Sequence, residues 1–89
     1  MSKEIKQEIL NLIKDEEDFN KKFGINTKVD LLIIFAKLKS KTKCVIADLV
    51  AESLENVKSY KYGHTKKQMN QEILKVMNKI IAQPSIVQW

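Results

Sequence analysis

Arginine is absent from this chain: all sixteen of its basic residues are lysine. Lysine carries a point charge on a flexible stem and lacks the planar fork that reads guanine bidentately. The chain can therefore neutralise phosphate but cannot make the commonest specific base contact. Cysteine occurs once, at Cys44, which excludes an internal disulfide. A lone cysteine of this kind is expected to be a small buried residue. Glu4 and Glu8 interrupt the apolar periodicity of the first residues, against a secretory signal, so the expected location is the cytoplasm. Two glycines and one proline are too few for the many turns of a strand-rich fold, and they favour long helices. A single histidine, His64, has no second histidine or spaced cysteine with which to build a metal site. No apolar stretch approaches the ~20 residues of a membrane span. No glycine-rich phosphate loop or nucleotide-cofactor motif is present, so no cofactor is expected.

What is present is a small chain of 89 residues, read as one domain (1–89), with 44% hydrophobic residues and a net charge of +5. The charge is unevenly placed. Residues 1–20 hold three lysines against six acids, whereas residues 21–43 hold seven lysines against Asp30 alone. The run Lys37-Leu-Lys-Ser-Lys-Thr-Lys43 separates two apolar segments and forms a cationic ridge. Such a ridge suits an anionic surface, nucleic acid first among them; its plain alternative is a solvated joint between helices.

Hydrophobic spacing predicts four segments. A first helix starts at about Lys3, with Ser2 as N-cap, and carries Ile5, Ile9, Leu12 and Ile13 as a stripe that Phe19 and Phe23 continue. Its acidic run Asp15-Glu-Glu-Asp18 reads as a solvated face unless it meets lysines of another subunit. A second helix spans Thr27 to about Lys39, with Thr27 and Asp30 resembling a capping box. Its Leu31–Ala36 stretch is apolar nearly all round and needs cover on more than one side, from flanking helices or from a second subunit. A buried strand competes there. A third helix, from about Cys44 to Tyr60, places Ile46, Leu49, Val50, Leu54 and Val57 on one face, and Gly63 stops it. A fourth opens at a Thr65/Gln68 capping box, carries Met69, Ile73, Val76, Met77, Ile80 and Ile81, and ends where Pro84 biases Gln83 away from helical geometry.

The stretch from Phe19 to Thr27 admits two readings. In one, Gly24 is a helix stop followed by apolar Ile25, and the fold is an all-α four-helix bundle. In the other, Lys22-Phe-Gly-Ile-Asn26 is a short strand with Phe23 and Ile25 facing inward. In that form, residues from Lys22 to Val57 resemble the ribbon-helix-helix DNA-binding family. Phe23 and Ile25 match its strand; Leu31, Phe35 and Leu38 match its first helix; Ile46, Leu49, Val50 and Leu54 match its second. The resemblance implies a mainly α, intertwined homodimer. The N-terminal helix (1–20) and C-terminal helix (65–83) would be additions to a core of residues 22–57, with 65–83 available for higher assembly.

The resemblance further implies a two-stranded ribbon in the major groove of double-stranded DNA. Lys22, Gly24 and Asn26 would face the bases, and since Gly24 has no side chain, Lys22 and Asn26 would discriminate. Phosphate would be held by the backbone at Cys44 and Val45 with Lys41, Thr42 and Lys43 around it, as free N–H groups at a helix N-terminus favour an anion. Phe23, Ile25, Leu31, Phe35, Leu49 and Leu54 would form the dimer core. Lys43 departs from the glycine that the family usually carries in this turn, and Cys44-Val45 lacks the usual Ser or Thr N-cap. The role implied is a repressor or an accessory factor in plasmid copy control, partition or transfer.

An enzyme is not expected. Cys44 and His64 would be a nucleophile pair on composition alone, and Met69 and Met77 read as core residues. Tyr60 and Tyr62, beside Lys58 and Lys61, read as packing residues before base-stacking ones. The rival reading is an all-α protein that binds a protein partner, such as a phage- or plasmid-encoded inhibitor or immunity protein, through Ile33-Ile34 or Ile86–Trp89. A third is sequence-independent binding to acidic surfaces, including RNA or a membrane face.

Overall fold

The computed structural model describes residues 3–55 and 65–83. Over them the chain forms α1 (Lys3–Lys22), α2 (Leu31–Lys37), α3 (Ser40–Glu55) and α4 (Lys66–Ala82), and no strand. The expectation of a mainly helical chain is met. Ser2, Val57 to His64 and the Pro84–Trp89 tail, with the roles suggested for them, lie outside the described residues.

In α1 the 3.6-residue period puts Ile5 and Ile9 in the core, with Leu12 and Ile13 packed against it. The stripe does not carry through to Phe19 and Phe23, which are 52% and 60% exposed. The helix ends in a Schellman motif. The Gly24 amide donates to Lys21 O at 3.3 Å, and the Ile25 amide donates to Asn20 O at 2.8 Å. Gly24 sits at φ +69°, in the left-handed region where a Cβ is disfavoured. Of the two readings of this stretch, the helix stop is the one adopted, and the strand Lys22–Asn26 is not formed.

The second helix is shorter than expected. Thr27 lies outside it, and Asp30 alone is its N-cap, its Oδ1 accepting from the Leu32 amide at 2.9 Å. Leu31–Lys37 packs against α1 and α4. Ile34 is buried and Leu31 and Phe35 lie against the core, so the flanking helices supply much of the cover that this apolar stretch needs. At Leu38 the backbone turns extended (ψ 154°) and drives the side chain inward, to 4% exposure. Two residues later, at Ser40, α3 begins, four positions ahead of the expected start at Cys44.

Within α3, Ile46, Val50 and Leu54 are buried and Leu49 is half-buried. Cys44 points to solvent, correcting the expectation of a buried thiol. It sits two positions from both Thr42 and Ile46, the buried residues of this turn, and so falls on the opposite face. In α4 the capping box is formed as read: Thr65 Oγ1 accepts from the Gln68 amide at 3.2 Å, and Gln68 Oε1 accepts from the Thr65 amide at 2.9 Å. Gln83 is extended, at ψ 139°. This helix touches the other three, and its fully buried Met77 and Ile80 sit at the centre of the core. Met69, at the outer end of the stripe, is 45% exposed.

Candidate nucleic-acid interface

Two residues, Leu38 and Lys39, join α2 to α3, so the lysines of the ridge fall on a tight corner. Leu38 turns into the core, while Lys37, Lys39 and Lys41 stay exposed and Lys43 is half-buried. Lys37, Lys39 and Lys41 line one side of a groove of about 860 Å³, with Thr42 and Val45. The facing wall is α1, through Glu4, Gln7, Glu8 and Asn11. Lys37 pairs with Glu16 of the acidic run, so that acid meets a lysine of its own chain. Lys41 and Lys43 make no ion pair among the described residues.

The start of α3 carries no capping side chain of its own, because Lys39 occupies the N-cap position. Glu8 of α1 takes that role. Its Oε2 accepts from the Lys39 amide at 2.7 Å, and its Oε1 accepts from the Thr42 hydroxyl at 2.6 Å. Burial pushes the Glu8 carboxyl up, but the Thr42 hydroxyl, the Lys39 amide and the Lys39 charge outweigh it and hold the group below the usual carboxylate value. A negative charge beside a helix N-terminus is also favoured by the macrodipole.

The residues expected to hold phosphate are therefore distributed in a particular way. Lys41 and Thr42 face the groove, Cys44 is exposed on the other side, and Val45 borders the groove. The amides of Cys44 and Val45 lie in the second turn of α3, where the helical ladder uses them. The helix end that would favour an anion is the one Glu8 occupies. The residues expected to read bases, Lys22, Gly24 and Asn26, are exposed around the α1–α2 connection and do not line the groove. Lys22 rests over its neighbour Phe23, 5.8 Å from the ring centroid. Of the expected dimer-core residues, Leu54 is buried within the single chain, and Leu31, Phe35 and Leu49 pack on its core. Phe23 and Ile25 are exposed.

A second carboxylate is tied down between helices. Glu72 of α4 is 8% exposed and accepts from the Ser53 hydroxyl of α3 at 2.6 Å and from Lys75 at 3.1 Å. The Ser53 hydrogen bond, then Lys75, lower its pKa below the usual value. The pair fastens α3 to α4. Among the described residues no cluster of three His, Cys, Asp or Glu side chains is placed to hold a metal, and no helix is long and apolar enough to cross a membrane.

Sequence reasoning missed Glu8, although a signal was there: a helix start with no capping residue of its own needs one from elsewhere. Comparison with protein-family models, with curated proteins and with solved structures finds no match to this chain.

Proposed function

We propose that this protein is a small, non-enzymatic binder of double-stranded DNA that grips phosphates with the lysine ridge at the α2–α3 joint. The observation that carries the reading is the exposure of Lys39 and Lys41, with Lys37, along one wall of the groove. Lys21, Lys22 and Lys28 are exposed as well, so most of the positive charge of residues 21–43 faces solvent, Lys37 being held in an internal pair with Glu16. With Glu8 beside the α3 N-terminus, affinity comes from ammonium groups and not from helix amides. Lysine alone gives contacts that position without specifying sequence.

Sequence-specific recognition through a paired ribbon is the finer form of this reading. It requires Lys22–Asn26 to leave the helix stop and pair with a second chain, whereupon Lys22 and Asn26 read bases. The lysine ridge needs no such rearrangement. Roles such as repressor or plasmid accessory factor belong to that finer form.

The test is duplex binding across a salt series. Replacing Lys39, Lys41 and Lys43 with Ala should weaken binding to random duplex and reduce the salt slope by roughly 2 to 3, since each phosphate contact contributes about 0.9. An unchanged affinity and slope would refute the ridge. Asn26→Ala should reduce discrimination between cognate and random DNA only if the ribbon forms. The second reading, a protein-partner binder, is favoured by the exposed Phe19, Phe23, Ile25 and Ile33.

A further inference from the structure

The exposed aromatic end of α1 has a charge order that selects its own occupant. Phe19 and Phe23 stack with centroids 4.6 Å apart and planes tilted by 40°, yet both rings remain more than half exposed. Burying large aromatic surface is favourable, and an exposed apolar patch rimmed by polar residues is the kind that marks an interaction site. Asp15 and Lys22 lie on the same face as Phe19, because seven residues span two helical turns. Both are exposed, and neither makes an ion pair among the described residues. They are about 10 Å apart along the axis, with Phe19 near the midpoint. The face therefore runs acid, aromatic, base in chain order.

We propose that this face binds the same face of a second copy, as an antiparallel α1–α1 pair about a two-fold axis close to Phe19. Each Asp15 then meets the partner's Lys22, and the pairing occurs twice by symmetry. A parallel pair would set Asp15 against Asp15 and Lys22 against Lys22, so the charge order excludes it. Glu16 is already held by Lys37 and contributes nothing across the axis. The interface differs from the strand-mediated dimer implied by the family resemblance and does not rest on DNA binding. It leaves α1 helical to its end and uses Phe23 where it stands. Two partly exposed rings per chain make a small contact, so the dimer should be weak, with Kd on the order of 10–100 µM.

The experiment is sedimentation of the whole chain with reciprocal charge reversals. Wild type should dimerise in that range, and Asp15→Lys or Lys22→Asp alone should each weaken the dimer about tenfold or more, by setting like charges opposite. Circular dichroism of each variant should match wild type, since both positions are solvent-facing. An equimolar mixture of the two single variants should recover dimer to near the wild-type Kd, because both cross-pairs are then Lys with Asp. A wild-type chain that stays monomeric at about 1 mM would overturn the proposal, as would single reversals that leave the dimer intact or a mixture that fails to recover it. A monomer in which Phe19→Glu shifts the fluorescence of Trp89 would instead show that the tail of the same chain covers the rings.

Discussion

Removing the Glu8 carboxylate should loosen the corner on which the lysine ridge stands. The carboxylate accepts two charge-assisted hydrogen bonds, from the Thr42 hydroxyl at 2.6 Å and the Lys39 amide at 2.7 Å. A hydrogen bond to a charged group contributes about 1.5–3 kcal/mol. Glu8 is half-buried, so solvent screening brings each nearer to about 1 kcal/mol. Glu8→Ala should therefore cost about 2 kcal/mol, and Glu8→Gln, which keeps one acceptor oxygen, about 1 kcal/mol. For a chain of this size the alanine variant should melt roughly 8–16 °C lower.

The effect has a pH signature. Glu8 titrates below its ordinary value of 4.5, so its contribution is complete above about 4.5 and is lost as pH falls through the folded-state value. Urea unfolding followed by circular dichroism at pH 7 and pH 3 measures both parts, and the gap between wild type and Glu8→Ala should shrink at pH 3. Thr42→Val removes one donor while keeping the shape, and a double-mutant cycle with Glu8→Ala should show a coupling of about 1 kcal/mol. A cost below about 0.5 kcal/mol at pH 7, or one that is the same at pH 3, would refute the assignment of Glu8 as the cap of α3.

Gly24→Ala probes the end of α1: at φ +69° with open space around the position, the cost is conformational only, about 1 kcal/mol by urea unfolding. Were residues 22–26 a strand, the same change would stabilise, so the sign of the shift separates the two forms. Ile46, fully buried on α3, should tolerate Val at about 1 kcal/mol but lose about 2–5 kcal/mol as Ala, enough to unfold much of a small chain at 37 °C by thermal melting.

The parts of the fold that were legible in the sequence are those fixed by near neighbours. Thr65 and Gln68 cap each other three residues apart, and the stripes of α3 and α4 follow the helical period, so pattern alone located them. Gly24 announced a helix stop, although the same five residues also fitted a strand. The α2–α3 boundary was not legible, because α3 takes its cap from Glu8, 31 residues before Lys39. Periodicity likewise could not show that Phe19 and Phe23 lie exposed. They keep the spacing of a core stripe at the end of α1, and spacing does not say what a stripe packs against. The acidic run has the pattern of a solvated face, yet one of its members, Glu16, meets Lys37 across a separation that no local rule reports.

The two connections that flank α2 differ in how much length they can absorb. Residues 23–28 are exposed throughout, and beyond the Phe23 ring against Phe19 and Lys22 they hold the backbone contacts of the helix stop and a long contact from Asn20 to Thr27 O, so an added residue after Ile25 has solvent to move into. The joint at Leu38–Lys39 has no such slack. Leu38 must reach the core while the next amide reaches Glu8, and one inserted residue would separate those two anchors. The phase of the lysines relative to α1 is thus set by a fixed residue count, and the ridge can change by substitution but not by insertion.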